Sequence, residues 1–387
     1  MKKNLLYLFF GLIVLSSCET DIDTLAKYKD ITVVYGLLNP NDTTHYIKIT
    51  KAFSGEGNAN DLANNGNNYY YADGEISVIV DGYDASDVFK KSYSLTRAIN
   101  EIPKENGVFD ETQNVLYKFT EPSLKRDYTY KLKIFNNKLD KEITSETKLV
   151  SDPVHSYFTE METIKLFNSS TSLTHSFSIK PKENSGRVKV YFVFNYTEHY
   201  TDSTNKNKSI KISLGEQKTT STFDGGEILQ FSLEGSSLLS AIQNNIPATV
   251  PNLRSRSISN GTLQVIVAGT DLSTYIAVNE PSSSINQNKP DFTNITNGLG
   301  VYSSRNTKTI YAKSFFDELD DIPANPENYY GFKKDGRVNY SDDTVNKLIN
   351  MGWEFCYPFA HTSTTSLPLG ASCESTLGAS YWSTINP

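Results

Sequence analysis

Val188, Val190, Phe192, Phe194 and Tyr196 take every second position across nine residues, with Lys189, Tyr191, Val193 and Asn195 between them. An extended chain turns successive side chains to opposite faces, so this spacing builds a strand with one apolar face and is wrong for a helix. The same period recurs elsewhere. Ile47 and Ile49 alternate with Lys48 and Thr50, Ile76, Val78 and Val80 with Ser77, Ile79 and Asp81, and Tyr128, Tyr130, Leu132 and Ile134 with Thr129, Lys131 and Lys133. Residues 31–35, 228–233, 263–268 and 307–313 read as further strands, and Asn39-Pro40-Asn41-Asp42 is a strong turn signal. With 24 Tyr and 20 Phe against 3 Met and 2 Trp, the composition suits half-buried pleated surfaces. The expected fold is mainly β: two β-sandwich-like regions of the immunoglobulin or fibronectin kind, with a few short helices.

Pro153 suggests a boundary between an N-terminal β-sandwich domain at 30–150 and a second β-rich domain at 151–321. Residues 237–245 place Leu238, Leu239 and Ile242 on one helical face before Pro247, and Leu272, Tyr275 and Ile276 share a face in a helix capped by Thr270 or Asp271 and ended before Pro281. Residues 322–387 read as a C-terminal cap, with a helix from Ser341 to Met351. Two long polar stretches, 54–68 and 197–208, read as loops between strands, and the first ends in Tyr69-Tyr70-Tyr71. Loops at the ends of a rigid β-scaffold are common recognition surfaces, so Tyr69, Tyr70 and Tyr71 are the candidate binding residues; the competing reading makes them the start of a strand.

The N-terminus points to a location. Lys2 and Lys3 precede an apolar run from Leu5, and Leu15-Ser16-Ser17-Cys18 closes it. A basic start, a short apolar run and small residues before the cut form a secretory signal, and a cysteine at the cut makes it a bacterial lipoprotein signal. The run falls short of the roughly 20 residues needed to span a bilayer. On this reading 1–17 is a signal peptide, Cys18 carries lipid, and 18–29 is a lipidated tether that holds the protein at a membrane. Cys356 and Cys373 are then an even pair in an oxidising compartment. A disulfide between them would close a loop of about 18 residues and stabilise by about 3 kcal/mol. Metal binding is the rival reading, and no His-Cys cluster of zinc spacing accompanies the pair.

Charge and motifs exclude several functions. The net charge of −7 becomes −9 once Lys2 and Lys3 leave with the signal peptide, and no basic run is present, so nucleic acid is not an expected partner. Gly-x-Ser-x-Gly, His-Glu-x-x-His and phosphate-loop motifs are absent. His45, His155, His175, His199 and His361 are scattered. Asp317-Glu318-Leu319-Asp320-Asp321 lacks the glycine and ligand spacing of a calcium loop. No cofactor, metal or catalytic residue is nominated.

The lipid-modification box, the acids Glu19, Asp21 and Asp23, the opening strand Ile31-Thr32-Val33-Val34-Tyr35-Gly36-Leu37-Leu38, the paired β-regions and Asn297-Gly298-Leu299-Gly300-Val301-Tyr302 together resemble the large surface lipoproteins of unknown function found on Bacteroidota outer membranes. The acids are similar to the export signal of those proteins; a solvated linker on a periplasm-facing lipoprotein is the alternative. The triplets at Asp23-Thr24-Leu25, Asp42-Thr43-Thr44, Asp202-Ser203-Thr204 and Asp343-Thr344-Val345 are similar to an O-glycosylation sequon of the same envelopes. The resemblance implies attachment to the outer membrane through the N-terminal lipid and partnership with an outer-membrane β-barrel protein and other lipoproteins. The expected function is a non-catalytic accessory subunit of such a barrel complex, serving protein assembly, secretion or TonB-dependent transport. The alternatives are a glycan-binding surface lipoprotein that uses tyrosines as sugar platforms and a hydrolase with an unrecognised site.

Overall fold

The computed structural model describes residues 31–52, 62–104, 112–155, 164–168, 171–220, 227–280 and 291–311, with 344, 347, 348, 350, 351, 353, 355 and 356. Cys18, Glu19, Asp21, Asp23 and Cys373 lie outside the described residues.

The first half supplies β1 (Thr32–Leu38), β2 (Thr44–Lys51), β3 (Ile76–Tyr83), β4 (Phe89–Ser94), β5 (Thr96–Ile99), β6 (Val115–Thr120), β7 (Thr129–Asn136) and β8 (Lys141–Lys148). After these come β9 (Val154–His155), β10 (Phe167–Asn168), β11 (Thr171–Ser172), β12 (Thr174–Lys180), β13 (Ser185–Tyr200), β14 (Asn205–Lys218), β15 (Leu229–Glu234), β16 (Leu253–Gly269), β17 (Gly298–Tyr311) and β18 (Phe355–Cys356). Helix α1 (Gly235–Asn245) follows β15, and α2 (Thr270–Asn279) follows β16 with Gly269, not Thr270, at its N-cap. The chain is mainly β, as the alternation indicates.

One sheet joins both halves of the chain. Its nine strands run β14-β13-β16-β17-β1-β2-β6-β5, with β18 beside β16. Smaller sheets run β4-β3-β7-β8, β15-β12-β9 and β10-β11. The joint is β17. Its first half lies parallel to β1, from Thr32 opposite Gly298 to Leu38 opposite Ser304. Its second half lies antiparallel to β16, from Ala268 opposite Arg305 to Thr262 opposite Tyr311. A hydrogen-bonded sheet therefore crosses the boundary expected near Pro153.

Side chains fit this seam closely. Tyr302 is fully buried, and a Cβ on Gly36 would stand 2.8 Å from its ring. Asn294 clamps the same residue, accepting from the Tyr302 amide at 2.9 Å and donating to its carbonyl at 2.7 Å. Around Tyr302, Val34, Leu38, Ile47 and Ile49 of the large sheet meet Val78, Val80, Leu132 and Ile134 of the four-stranded sheet. A second core sets Val188, Val190, Phe192, Phe194, Leu263 and Val265 against Phe177, Phe231 and Leu233 of the three-stranded sheet and Leu238 and Ile242 of α1. Burying one such side chain contributes about 1.5–3 kcal/mol.

Residues 197–208 are not a loop. Strand β13 continues to Tyr200, the chain reverses over 201–204, and β14 returns from Asn205. Asp202 closes the reversal by accepting from the Thr204 amide at 3.0 Å and its hydroxyl at 2.7 Å, with Ser203 at φ +66°. The period-two pattern persists through this hairpin in polar residues, where an apolar reading does not detect it. Thr344, Lys347 and Leu348 are helical, within the helix expected at 341–351. The backbone of Cys356 lies in β18, and its expected partner Cys373 lies outside the described residues. Among the described residues no helix is long and apolar enough to cross a membrane.

Candidate functional site

The three tyrosines do not form a surface. Tyr69, Tyr70 and Tyr71 are 3, 5 and 1% exposed. Tyr71 shares a 2.7 Å hydrogen bond with the Thr32 hydroxyl, and Tyr70 donates to the Gln113 carbonyl at 3.0 Å. The rings of Tyr69 and Tyr70 pack at a tilt of 51° with centroids 4.4 Å apart and join Val115 in a small core of their own. The expectation that these rings present a binding face is corrected. Large half-polar rings were free to turn inward because a ring buries much apolar area and its hydroxyl can find a partner inside, as those of Tyr70 and Tyr71 do. Thr344, the middle residue of one glycosylation triplet, is also fully buried, and its hydroxyl accepts from the Leu166 amide at 3.0 Å.

Polar chemistry gathers instead where β14, β13, β16 and β17 run side by side. On β13 the core face holds Val188 through Tyr196 and then Glu198; the other face holds Tyr191, Val193, Asn195, Thr197 and His199. Pairing extends each of these into a cross-strand row. Tyr191 lies between Ser213 and Gln264, and Gln264 lies beside Thr309. Thr197 lies between Asn207 and Ser257, and its hydroxyl donates to Asn207 Oδ1 at 2.9 Å. A cavity of about 500 Å³ opens on this face, lined among others by Asn195, Thr197, Asn207, Thr262 and Gln264. Lys208 and Lys211 also line it, and among the described residues no carboxylate does.

At one end of this face His199 bridges two strands. Its Nδ1 is 2.8 Å from Asn205 Oδ1, and its Nε2 is 2.8 Å from Ser257 Oγ. An amide oxygen only accepts, so Nδ1 carries the proton and Nε2 takes a hydrogen bond from Ser257. Burial holds the ring below the ordinary imidazole range, against the pull of Asn205. This Asn-His-Ser order is the order of a nucleophilic relay, and sequence reading missed it because its members lie 6 and 58 positions apart. Its setting suits a cross-strand tie better than catalysis. Ser257 has Thr197 of β13 on one side and Cys356 of β18 on the other, so its amide belongs to the ladder and is not available to an oxyanion.

Directly behind, on the core face, Arg256 is fully buried. Its Nη1 donates to the Trp353 carbonyl at 2.8 Å and its Nη2 to the Pro247 carbonyl at 2.9 Å. Its Nε and Nη2 both reach Glu198 Oε1 at 3.2 Å, and Tyr200 donates to Glu198 Oε2 at 2.8 Å. This network ties residue 353 to the large sheet. The remaining described histidine side chains are structural. His45 is buried and its Nε2 is 3.1 Å from the Glu121 carbonyl, while His175 packs edge-on to Phe177. Among the described residues no group of three or more His, Cys, Asp or Glu could hold a metal ion.

No protein-family model matches the chain, and no curated protein matches it in sequence. Among solved structures, the C-terminal globular domain of the oligosaccharyltransferase from Pyrococcus abyssi is similar over 58% of this chain, at 8% identity and a TM-score of 0.24. The aligned part spans 44% of that chain's length, and a likeness at this level carries no argument about function.

Proposed function

We propose that this chain is a non-catalytic lipoprotein, anchored through Cys18, exported to the cell surface with Glu19, Asp21 and Asp23 as its signal, and acting as an accessory subunit of an outer-membrane β-barrel complex. Its two layered cores are then β-sandwiches of the immunoglobulin or fibronectin kind, and a Cys356–Cys373 disulfide fixes its C-terminal cap. The observation that carries this reading is the place of β1. The strand that follows the expected tether is not at an edge: β17 flanks it on one side and β2 on the other. A pull on a lipid leash would enter the middle of the sheet that joins both halves, which suits a scaffold held at a membrane. Purification of the full chain in mild detergent through a C-terminal tag, followed by mass spectrometry, tests it. A barrel protein recovered at near-stoichiometric yield is expected, as is loss of both barrel and membrane retention in Cys18→Ala. An acyl-labelled wild type recovered as an isolated monomer would overturn the subunit reading.

A further inference from the structure

We infer that the outer face of β14, β13, β16 and β17 is a binding site for an anionic oligosaccharide. The cavity there has a volume of about 500 Å³. Its walls are amides and hydroxyls from Asn195, Thr197, Asn207, Thr262, Gln264 and Thr309. Each of these groups can donate as well as accept, apart from the separate ends of the amides, which do one each. A sugar presents the matching array, hydroxyls that do both along its whole length. Neighbouring strands set such side chains about 4.5–5.5 Å apart, so a chain of sugar rings crossing the sheet meets a polar group at each step.

Charge selects among sugars. The protein carries 44 Asp and Glu against 37 Lys and Arg, yet among the described residues the cavity lining contains Lys208 and Lys211 and no carboxylate. Arg305 is exposed further along β17, on the same face as Thr309. The wet face of the four-stranded sheet shows how this chain treats a surface that meets only solvent. There Lys133 pairs with Asp81 at 3.0 Å and Lys131 with Asp87 at 2.7 Å. The groove keeps its cations without such pairing acids in its lining, which is the complement of a ligand that brings its own carboxylates or sulfates. A peptide ligand fits less well. Val193 is the main aliphatic side chain of the lining, and peptide recognition relies on apolar pockets or on ladder pairing along an edge. Two lysines, with the one aromatic ring of the lining, Tyr196, only 5% exposed, also fall short of a nucleic-acid groove.

Affinity electrophoresis tests the site. The full chain, in detergent, is run through native gels containing polygalacturonate, neutral dextran or polyglutamate. Retardation is expected from polygalacturonate alone. Lys211→Glu and Gln264→Ala should each weaken it about tenfold or more with the melting temperature unchanged, because both positions lie on the wet face of the sheet. Lys138→Glu removes a charge at an exposed position outside the groove and should behave as wild type. No retardation by polygalacturonate, equal retardation by dextran, equal retardation by polyglutamate, or groove variants that bind like wild type would each overturn the proposal. Barrel co-purification does not enter this readout, so the two proposals stand or fall separately.

Discussion

Arg256 holds Glu198 inside the protein: the two side chains are 0 and 5% exposed and meet at 3.2 Å. A buried pair is costly to assemble and more costly to break, because the survivor keeps its charge without a partner. Arg256→Leu should therefore destabilise by about 3–5 kcal/mol in urea unfolding. It should also loosen residue 353, since the Trp353 carbonyl loses its donor while its indole keeps the bond to the Ile246 carbonyl. Adding Glu198→Gln to Arg256→Leu should restore part of the loss. An additive double variant would show that the charge left behind is not what costs.

Gly300 marks the seam between the halves. Its φ is +108°, and a Cβ there would stand 2.0 Å from the Val34 carbonyl oxygen of β1. Gly215 has a similar φ of +103° with nothing within 4 Å. The two glycines separate backbone strain from collision. Gly215→Ala should cost about 1–2 kcal/mol, the usual penalty of a left-handed residue. Gly300→Ala must also push β1 and β17 apart and should cost more than Gly215→Ala by several kcal/mol, or abolish soluble expression. Equal melting temperatures for the two variants would mean that the parallel seam tolerates opening.

The sequence shows strands wherever apolar residues alternate, as from Val188 to Tyr196, and it shows both helices by their apolar faces and the prolines behind them. It does not show β17 from Gly298 to Ser304. Two glycines and two serines leave too weak an apolar period, and the strand's partner is distant: Ser304 donates to the Leu38 carbonyl across 266 positions. Joining the halves through this strand is a long-range fact that local pattern cannot contain. The groove is hidden for the same reason. Thr197 and Asn207 fall in a stretch that reads as a polar loop, and they meet Thr262, Gln264 and Thr309 only through the register of four strands. The tyrosine run misleads in the opposite sense, because ring size and a polar tip suit an interior site as well as an exposed one.

Acid should weaken the fold in a window set by histidines. Burial lowers the pKa of His45, His175 and His199 from 6.5; for His45 the Glu121 carbonyl and the charges of Asp42 and Glu121 oppose this, and for His199 Asn205 does. Each lowered ring stays neutral in the folded state when its unfolded counterpart already binds a proton. The unfolded state then holds more protons below pH 6.5, so stability is full above that value and falls as the pH drops through it, by up to about 1.4 kcal/mol per pH unit for each proton. Asp152 acts in a separate range. Burial raises it, but Asn306, Arg126 and Lys308 together hold it below 3.8, so its contribution fades only as the pH falls below that value. Urea midpoints measured from pH 7.5 to 4.5 should decline, and His175→Phe should flatten the decline. A curve level to pH 5 would show that the buried rings take protons without unfolding.

Thr32 and Tyr71 fasten the first strand to the segment before β3. Their oxygens are 2.7 Å apart, with side chains 1% exposed at both ends. Arg97 adds a hydrogen bond to the Tyr71 carbonyl at 3.3 Å, and Lys51 lies 5.3 Å from the centre of its ring. Tyr71→Phe keeps the packing and strands the Thr32 hydroxyl in a dry site, which costs about 1–3 kcal/mol. Tyr71→Ser also empties a ring-sized volume and should cost about 3–5 kcal/mol, the range of large-to-small core changes. Thr32→Val, which removes the hydroxyl at nearly constant volume, should make the Tyr71→Phe change cheaper in the double variant than alone. A surface tyrosine would give none of this pattern. Near-zero changes in the urea midpoint for all three single variants, with partner recovery reduced, would return Tyr71 to a contact role.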